Sequence, residues 1–303
     1  MQKYSSTDFD RDFPDDEACL RWLWAERFAI GGDVSQANCT HCGEITSHYR
    51  LTNRPAWSCE RCGRHVYPMA GTIFERSTTP LRLWFRAIAA MAVTRCGISS
   101  RALGRDLGVT VKTSYRMWHQ IRSILKEEGD PFTGVVEADE TYVGGLDRNR
   151  HANKRSGSRG RGNTGKTAVV GIVERGGRVV AKVVPNTGRA VIEPFVAQNV
   201  LPGARVNTDE YNLYNQLTPM GYDHQRVKHL SGIYVVGDDI HTNTMEGFWS
   251  QLKRSIDGTY HHVTAGHLQD YVDEYAFRYS HRNDSEPMFK TMLAQVVHWS
   301  REA

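Results

Sequence analysis

Asp139, Asp209, Glu246 and Lys253 are the side chains whose types and settings best fit chemistry. Asp139 lies in TGVVEADETYVGG, where Val135, Val136 and Ala138 lead in and Tyr142 and Val143 follow, the pattern of a buried strand interrupted by acids. A carboxylate in such a run is costly unless a cation or a hydrogen-bond network receives it. Glu137 shares the strand face of Asp139, and Glu140 takes the other. Asp139 sits deepest in the apolar run, and Glu137 remains its rival. Asp209 ends a short strand, residues 206–208, in ARVNTDEYNLYNQL. Acids at such strand ends point into the clefts of open α/β sheets, although an acid here can also simply cap a following helix. Glu246 and Lys253 stand seven apart in HTNTMEGFWSQLKRSIDGTYHH, on an amphipathic helix with Phe248, Trp249 and Leu252 as its apolar stripe. They share one side, roughly 10 Å apart at about 1.5 Å per residue. That is too far for a salt bridge, but it suits a metal-ligating carboxylate and a cation gripping the same polyanion. An ordinary solvated face would carry the same charges. His241 and Asn243, at the start of this helix, are read as phosphate contacts or supporting groups rather than catalytic ones.

A second constellation is Cys39-x2-Cys42 and Cys59-x2-Cys62, with sixteen residues between the pairs. This spacing reads as a tetrahedral four-cysteine zinc site. Gly43 and Gly63 follow the pairs and allow tight turns whose amides face the thiolates. Tyr49, Leu51 and Trp57 suggest the short strands of a ribbon. His41 is read as a bystander, and Cys19 and Cys96 as small buried apolar residues. No secretory pattern opens the chain, so a reducing cytoplasm is expected and disulfides are not.

These groups need elements to hold them. TAVVGIVERGGRVVAKVVPN gives two apolar runs around Arg175-Gly176-Gly177-Arg178, a hairpin signal, and RAVIEPFVAQNVL reads as a helix. The order is strand, hairpin, helix, strand ending at Asp209, helix with Tyr211, Leu213, Tyr214 and Leu217, a short strand at 225–229, and the Glu246 helix. Upstream, residues 79–128 read as three helices. Thr79 caps and Pro80 opens the first, whose apolar face is Leu81, Trp84, Phe85, Ile88 and Met91 and whose stop is Cys96-Gly97. Ser99 or Ser100 caps SRALGRDL, and Gly108 turns the chain into TVKTSYRMWHQIRSILKEE. Helix, glycine turn, helix is the helix-turn-helix shape, whose second helix can enter a major groove. Lys112, Thr113, Ser114 and Arg116 stand where base-reading side chains come from, with Val111, Tyr115, Trp118 and Ile121 packing inward. A three-helix packing unit without DNA contact has the same pattern.

VEADETYVGG, VNTDEYNLY, HTNTMEGFWSQLKRSIDGTYHHV and HLQDYVDEYAFRY, in this order and with 36 residues between Asp209 and Glu246, resemble the bacterial insertion-sequence transposases with a DDE triad, within them the zinc-ribbon-bearing ISXO-type family. The resemblance implies an RNase H-like catalytic domain with a mixed sheet, in which Asp139, Asp209 and Glu246 form the triad and Lys253 is its accompanying base. It implies two catalytic Mg²⁺ ions, with Mn²⁺ as a substitute, roughly 3.5–4 Å apart, one at the attacking and one at the leaving oxygen. Ser280 departs from the pattern, which has Asn after Phe277-Arg278-Tyr279.

The 303 residues give room for several modules, and a net charge of +4 is too small to indicate nucleic acid by itself. Residues 148–166, however, hold seven Lys or Arg and no acid among Gly, Ser and Asn. Such a segment cannot bury enough apolar surface to fold alone, and Lys154, Arg155, Arg159 and Arg161 are expected to contact DNA phosphates. Within it, GRGNTGKT satisfies the pattern of an ATP-binding P-loop. Its context is wrong, because a basic glycine-rich run precedes it and a β-branched strand follows, so no ATP is expected. No eighteen-residue apolar run exists, and no membrane span is expected.

The sequence therefore predicts a multi-domain α+β protein: a helix and four-cysteine zinc ribbon over 1–75, a helix-turn-helix region over 76–130, and a catalytic α/β domain over 131–303. It predicts a transposase that binds its element's ends as a homo-oligomer on DNA and performs metal-dependent cleavage and strand transfer. A nuclease or resolvase without strand transfer, or a non-enzymatic zinc-ribbon DNA-binding regulator, is the alternative.

Overall fold

The computed structural model describes residues 4–126, 129–144, 165–227 and 240–299. These divide into two compact units, Met1–Ile124 with Asp284–Ala303, and Leu125–Asn283.

In the first unit, helices α1 (Ser6–Asp12) and α2 (Asp16–Phe28) precede a five-stranded sheet, β1 (Ala29–Ile30), β2 (Asp33–Asn38), β3 (Ile45–Arg50), β4 (Trp57–Cys59) and β5 (His65–Val66), in sequential order. Ser5 and Asp15 cap the two helices through their side chains. The sheet buries little beyond Ala37, Ala56, Trp57, Val66 and two cysteines, and borrows Trp24 from α2, stacked on Trp57 at 4.6 Å.

Helices α3 (Leu81–Val93), α4 (Ser100–Leu107) and α5 (Val111–Ser123) follow. The expected apolar face of α3 is buried at all five positions. Its start differs from expectation: Pro80 is the cap residue, and Thr79 instead accepts a hydrogen bond from Arg116. Ser99 caps α4, and Gly108 ends it at φ +66°, a conformation glycine adopts without strain. Helix α5 is rotated from the expected face. Ser114, Met117, Trp118, Ile121 and Arg122 are buried, while Val111 and Tyr115 are about half exposed, at 53% and 46%. The cause is a close approach of small residues: Ser114 donates to the Ser100 carbonyl at 2.8 Å, and a Cβ on Gly104 would meet the same hydroxyl. Cys19 is buried as expected, with its thiol pushed up to about 12 by burial, whereas Cys96 is exposed just past the end of α3. Helix α9 (Met288–His298) joins this unit rather than the expected catalytic domain, because Phe289 packs among Tyr4, Phe9 and Phe13.

The second unit is built on a five-stranded mixed sheet: β6 (Val135–Val143), β7 (Thr167–Glu174), β8 (Val179–Val184), β9 (Arg205–Thr208) and β10 (Asp223–Arg226), in the order β10-β9-β6-β7-β8. Strands β6, β7 and β8 are antiparallel neighbours, while β9 runs parallel to both β6 and β10. One face carries Val136, Ala138, Val170, Ile172 and Val206 under helix α6 (Arg189–Asn199) and a 3-10 turn, Asn212–Gln216. The other carries Val143, Val169 and Val173 under helices α7 (Asn243–Ser255) and α8 (Leu268–Ser280). With both faces covered, β7 reads as one continuous apolar run. The hairpin at Arg175-Gly176-Gly177-Arg178 forms as expected, with Gly176 at φ +74°.

Two expected elements differ. After Asp209 the chain makes a 3-10 turn rather than an α-helix, with Asp209 accepting the Tyr211 N–H two residues on. The last strand starts earlier and ends at Arg226. The edge strand β8 is covered by α8: Gln269 bonds the Val183 N–H and the Ala181 carbonyl, and Ser280 accepts the Val179 N–H at 3.1 Å. The departure at Ser280 thus has a role in docking α8. Among the described residues, no helix is long and apolar enough to cross a membrane.

Candidate carboxylate centre and cysteine cluster

Pairing between β6 and β9 runs from Val135↔Arg205 to Glu137↔Asn207. Asp139 stands two residues beyond the last pair on the face of β6 that Glu137 shares, and Asp209 is the first residue after the adjacent parallel strand β9. There β9 ends, and Asp209 comes close enough to Asp139 to act on its charge. Burial, then Glu140, then Asp209 push the Asp139 carboxyl up to about 7. Burial also raises Glu140, on the opposite face, although the Tyr214 hydroxyl donates to its Oε2 at 2.7 Å.

Helix α7 docks directly on this strand. Gly171 on β7 pairs with Asp139, and a Cβ there would come within 2.8 Å of the Trp249 ring and collide with Met245. Glycine therefore lets the helix reach the sheet. At that depth the Trp249 indole donates to Asp139 Oδ2 at 3.0 Å. Trp249 lies one turn from Glu246 and four residues before Lys253, so all three share one side of α7. Glu246 is exposed on the first turn, with Thr242 Oγ1 3.5 Å from its Oε1. The Lys253 ammonium is pulled down by partial desolvation and by Lys166, against the attraction of Asp139 and Asp257.

The expected convergence of three carboxylates is incomplete. Among the described residues, Asp139, Asp209 and Glu246 do not bring one oxygen each within 4.8 Å of one another. Two oxygens on one Mg²⁺ can be no more than about 4.2 Å apart at 2.0–2.1 Å per bond. The three acids therefore do not close on a single ion. Asp139 and Glu140 are both desolvated with the Asp209 charge nearby, a crowding of like charges that a hard divalent cation would relieve, and in that respect the residues fit one.

Glu137 is fully buried, and all four of its acceptor positions are engaged: Oε2 by the N–H groups of Thr244 and Met245, Oε1 by Thr244 Oγ1 and Arg175 Nε. The rival for Asp139 is thus saturated within the protein. Sequence reading missed this bond set, the Trp249 donor and the Tyr214–Glu140 pair. Only the unusual burial pattern of EADE signalled that a partner was needed.

The four cysteines Cys39, Cys42, Cys59 and Cys62 bring their sulfurs within 4.8 Å of one another. Cys39 and Cys62 are 3.6 Å apart and Cys42 and Cys59 4.0 Å. A tetrahedral zinc with 2.3 Å Zn–S bonds needs an edge of about 3.8 Å, so the cluster fits zinc. Two matched turns build it, with Gly43 donating to the Cys39 carbonyl and Gly63 to that of Cys59, at φ +73° and +68°. Burial opposes ionisation of Cys39, but the Cys42 and His41 amides and the neighbouring thiols outweigh it and hold that thiol at about 5. His41 is not part of the cluster.

Lys112 is exposed at the start of α5. The Arg116 guanidinium donates to Thr79 Oγ1 at 3.1 Å and lies over the Trp84 ring, so it is already engaged within the protein. Lys154, Arg155, Arg159 and Arg161 lie outside the described residues. The P-loop-like Lys166 precedes Thr167, which opens a strand and not a helix, so no helix N-terminus is offered to phosphates.

The raised Asp139 carboxyl has a consequence for pH. Its ordinary value is 3.8, so without metal the folded state holds a proton that the unfolded chain has released between about 4 and 7. The associated stability is full below about 4 and lost as pH rises through about 7, by at most about 4 kcal/mol at 1.36 kcal/mol per unit. A divalent cation competes with that proton, so stabilisation by Mg²⁺ should grow as pH rises from 5 to 8. Melting curves of the wild type and Asp139→Asn, with and without millimolar Mg²⁺, test this. A Mg²⁺-induced shift that is flat in pH, or equal in both proteins, contradicts it.

Residues 131–280 match the ISXO2-like transposase domain family, and residues 14–65 the transposase zinc-ribbon domain family. A protein of Halobacterium salinarum described as an uncharacterized protein in transposable element ISH50 is 28% identical over 261 residues, which cover 82% of this chain and 86% of that one. An uncharacterized transposase-like protein of Haemophilus influenzae is 26% identical over 121 residues, 40% of this chain and 94% of its own length. With a four-cysteine cluster inside residues 14–65 and the carboxylate-bearing mixed sheet inside residues 131–280, the chain belongs to the zinc-ribbon-bearing ISXO-type family of insertion-sequence transposases.

Proposed function

We propose that this transposase binds the ends of its element and cleaves and rejoins DNA at the Asp139–Asp209–Glu246 centre, within an RNase H-like domain. The observation that carries the reading is the placement of Asp139 and Asp209 where the pairing of parallel strands β6 and β9 ends, beneath a helix that carries Glu246 and touches Asp139 through Trp249. The strand order, three antiparallel strands with two parallel ones added beside the first, supports that fold. Asp139, Asp209 and Glu246 would hold Mg²⁺, and the bound ions would activate the attacking oxygen and stabilise the leaving one. The residues' own work is to orient and to bind. Trp249 fixes one oxygen of Asp139. Lys253, beside Asp139 and Lys166, grips the scissile phosphate. Water and then the freed 3′-hydroxyl serve as nucleophiles, so no covalent enzyme–DNA intermediate forms. Joining two ends calls for two copies, hence a homo-oligomer on DNA. Incubation with element-end duplexes and Mg²⁺ should give 3′-hydroxyl ends and their transfer into a second duplex. Cleavage without transfer would establish a nuclease, and binding without cleavage a regulator.

Recognition falls to the zinc ribbon, to helices α4 and α5 as a helix-turn-helix, and to the basic segment at 148–166. Removing Lys154, Arg155, Arg159 and Arg161 together should weaken binding to all DNA and flatten the log–log salt slope by up to about 3.6, at about 0.9 per phosphate. Lys112→Ala and Arg116→Ala should each cost about 1–3 kcal/mol on element ends and less on random DNA. Filter binding across a salt series measures both effects. Equal losses on both DNAs would remove α5 from base reading.

A further inference from the structure

Helix α7 begins without a cap of its own. Thr242, at the cap position, makes no side-chain bond to the first-turn N–H groups, which are unsatisfied at any helix start. A carboxylate from the neighbouring strand takes that place. Glu137 Oε2 accepts the N–H groups of Thr244 and Met245 at 2.8 and 3.0 Å, and Oε1 accepts the Thr244 hydroxyl at 2.8 Å. Arg175, in the β7–β8 hairpin, donates Nε to Oε1 at 2.9 Å and Nη2 to the His241 carbonyl at 3.1 Å, which fixes the entry to the helix as well. The His241 ring approaches the same oxygen at 3.1 Å.

Glu246 follows Met245 directly. Its backbone is therefore held on one side by Glu137, through the Met245 N–H, and on the other by Asp139, through Trp249 one turn later. Both anchoring acids stand two apart on one face of β6. A single rigid strand thus sets where Glu246 stands relative to Asp139. An ordinary Ser or Asp cap would hold the helix together but tie it to nothing else.

We propose that Glu137 is a positioning residue that registers Glu246 against Asp139 for metal binding, a role that presupposes the carboxylate centre proposed above. Full-length, zinc-loaded Glu137→Ala should lose amide protection in residues 244–246 by tenfold or more, with α8 unchanged. Its Mn²⁺ dissociation constant by calorimetry, and the Mn²⁺ needed for half-maximal cleavage, should rise at least tenfold, while end binding stays intact. Glu137→Gln keeps an oxygen for the helix N–H groups but turns an amide toward Arg175, so it should fall between. If Glu137→Ala does not fold, Thr244→Val, which removes one donor and keeps both backbone bonds, should still raise the Mn²⁺ constant a few-fold. Wild-type Mn²⁺ affinity in a folded Glu137→Ala, or in Thr244→Val where alanine cannot fold, would overturn the positioning role and leave an ordinary structural anchor. A wild-type protein whose Mn²⁺ binding is indifferent to Asp139→Asn would overturn the centre and this role together.

Discussion

Alanine at Asp139, Asp209 or Glu246 is expected to abolish metal-dependent cleavage, each by roughly 10³-fold or more, with binding to element ends near wild type. Asp139 is desolvated and crowded by Glu140 and Asp209, an arrangement of like charges that yields little stability by itself and gains from a cation. Ligands that act as a unit are strongly non-additive, so the triple variant should be about as inactive as each single one. Lys253→Ala should be milder, about tenfold, because it would position phosphate rather than hold metal. Mn²⁺ should partly restore a weakened site, since its demands on geometry are looser. Lys166→Ala is the internal control: activity should remain independent of ATP and fall only modestly. Quantitative cleavage of labelled end duplexes decides the matter, and a Glu246→Ala protein that cuts at wild-type rate would remove that residue from the centre.

Withdrawal of zinc should unfold the ribbon. The five short strands bury few apolar side chains, and the four sulfurs, all within 4.8 Å of one another, replace the missing core. Structural zinc contributes on the order of 10–16 kcal/mol to small sites of this kind. A thiol-reactive reagent should release about one zinc per chain, with loss of amide protection across β2 to β5 and of the tight Trp24–Trp57 stack. Cys39→Ser should give the same result without the reagent. Helices α3 to α5 have their own buried face and should keep their protection. A ribbon that stays protected and binds DNA without zinc would refute the metal's structural role.

What the chain made legible was whatever depends on local spacing. The CxxC pairs, the hairpin at 175–178, the amphipathic α7 and the apolar face of α3 all follow from periodicity and turn chemistry within a few residues, and all formed. The rotation of α5 was not legible, because the Ser114–Gly104 contact that sets it joins residues on two helices. The turn after Asp209 was misread for a similar reason. Tyr214 has an apolar helical spacing, but its hydroxyl is committed to Glu140 on the sheet face that the turn covers.

Sequence alone also determined which acids were candidates, since a carboxylate in an apolar strand must find a partner. It did not determine which partner each acid would have. Glu137 and Asp139 have the same setting on one strand face, and their separate fates were decided where α7 lands. That landing depends on Gly171, which admits Trp249 to Asp139 while the helix start meets Glu137. Hydrogen-bond partners more than a hundred residues apart leave no trace in local periodicity. Only the packed sheet and helix, by bringing them within about 3 Å, tied one acid to the start of α7 and the other to the Trp249 indole.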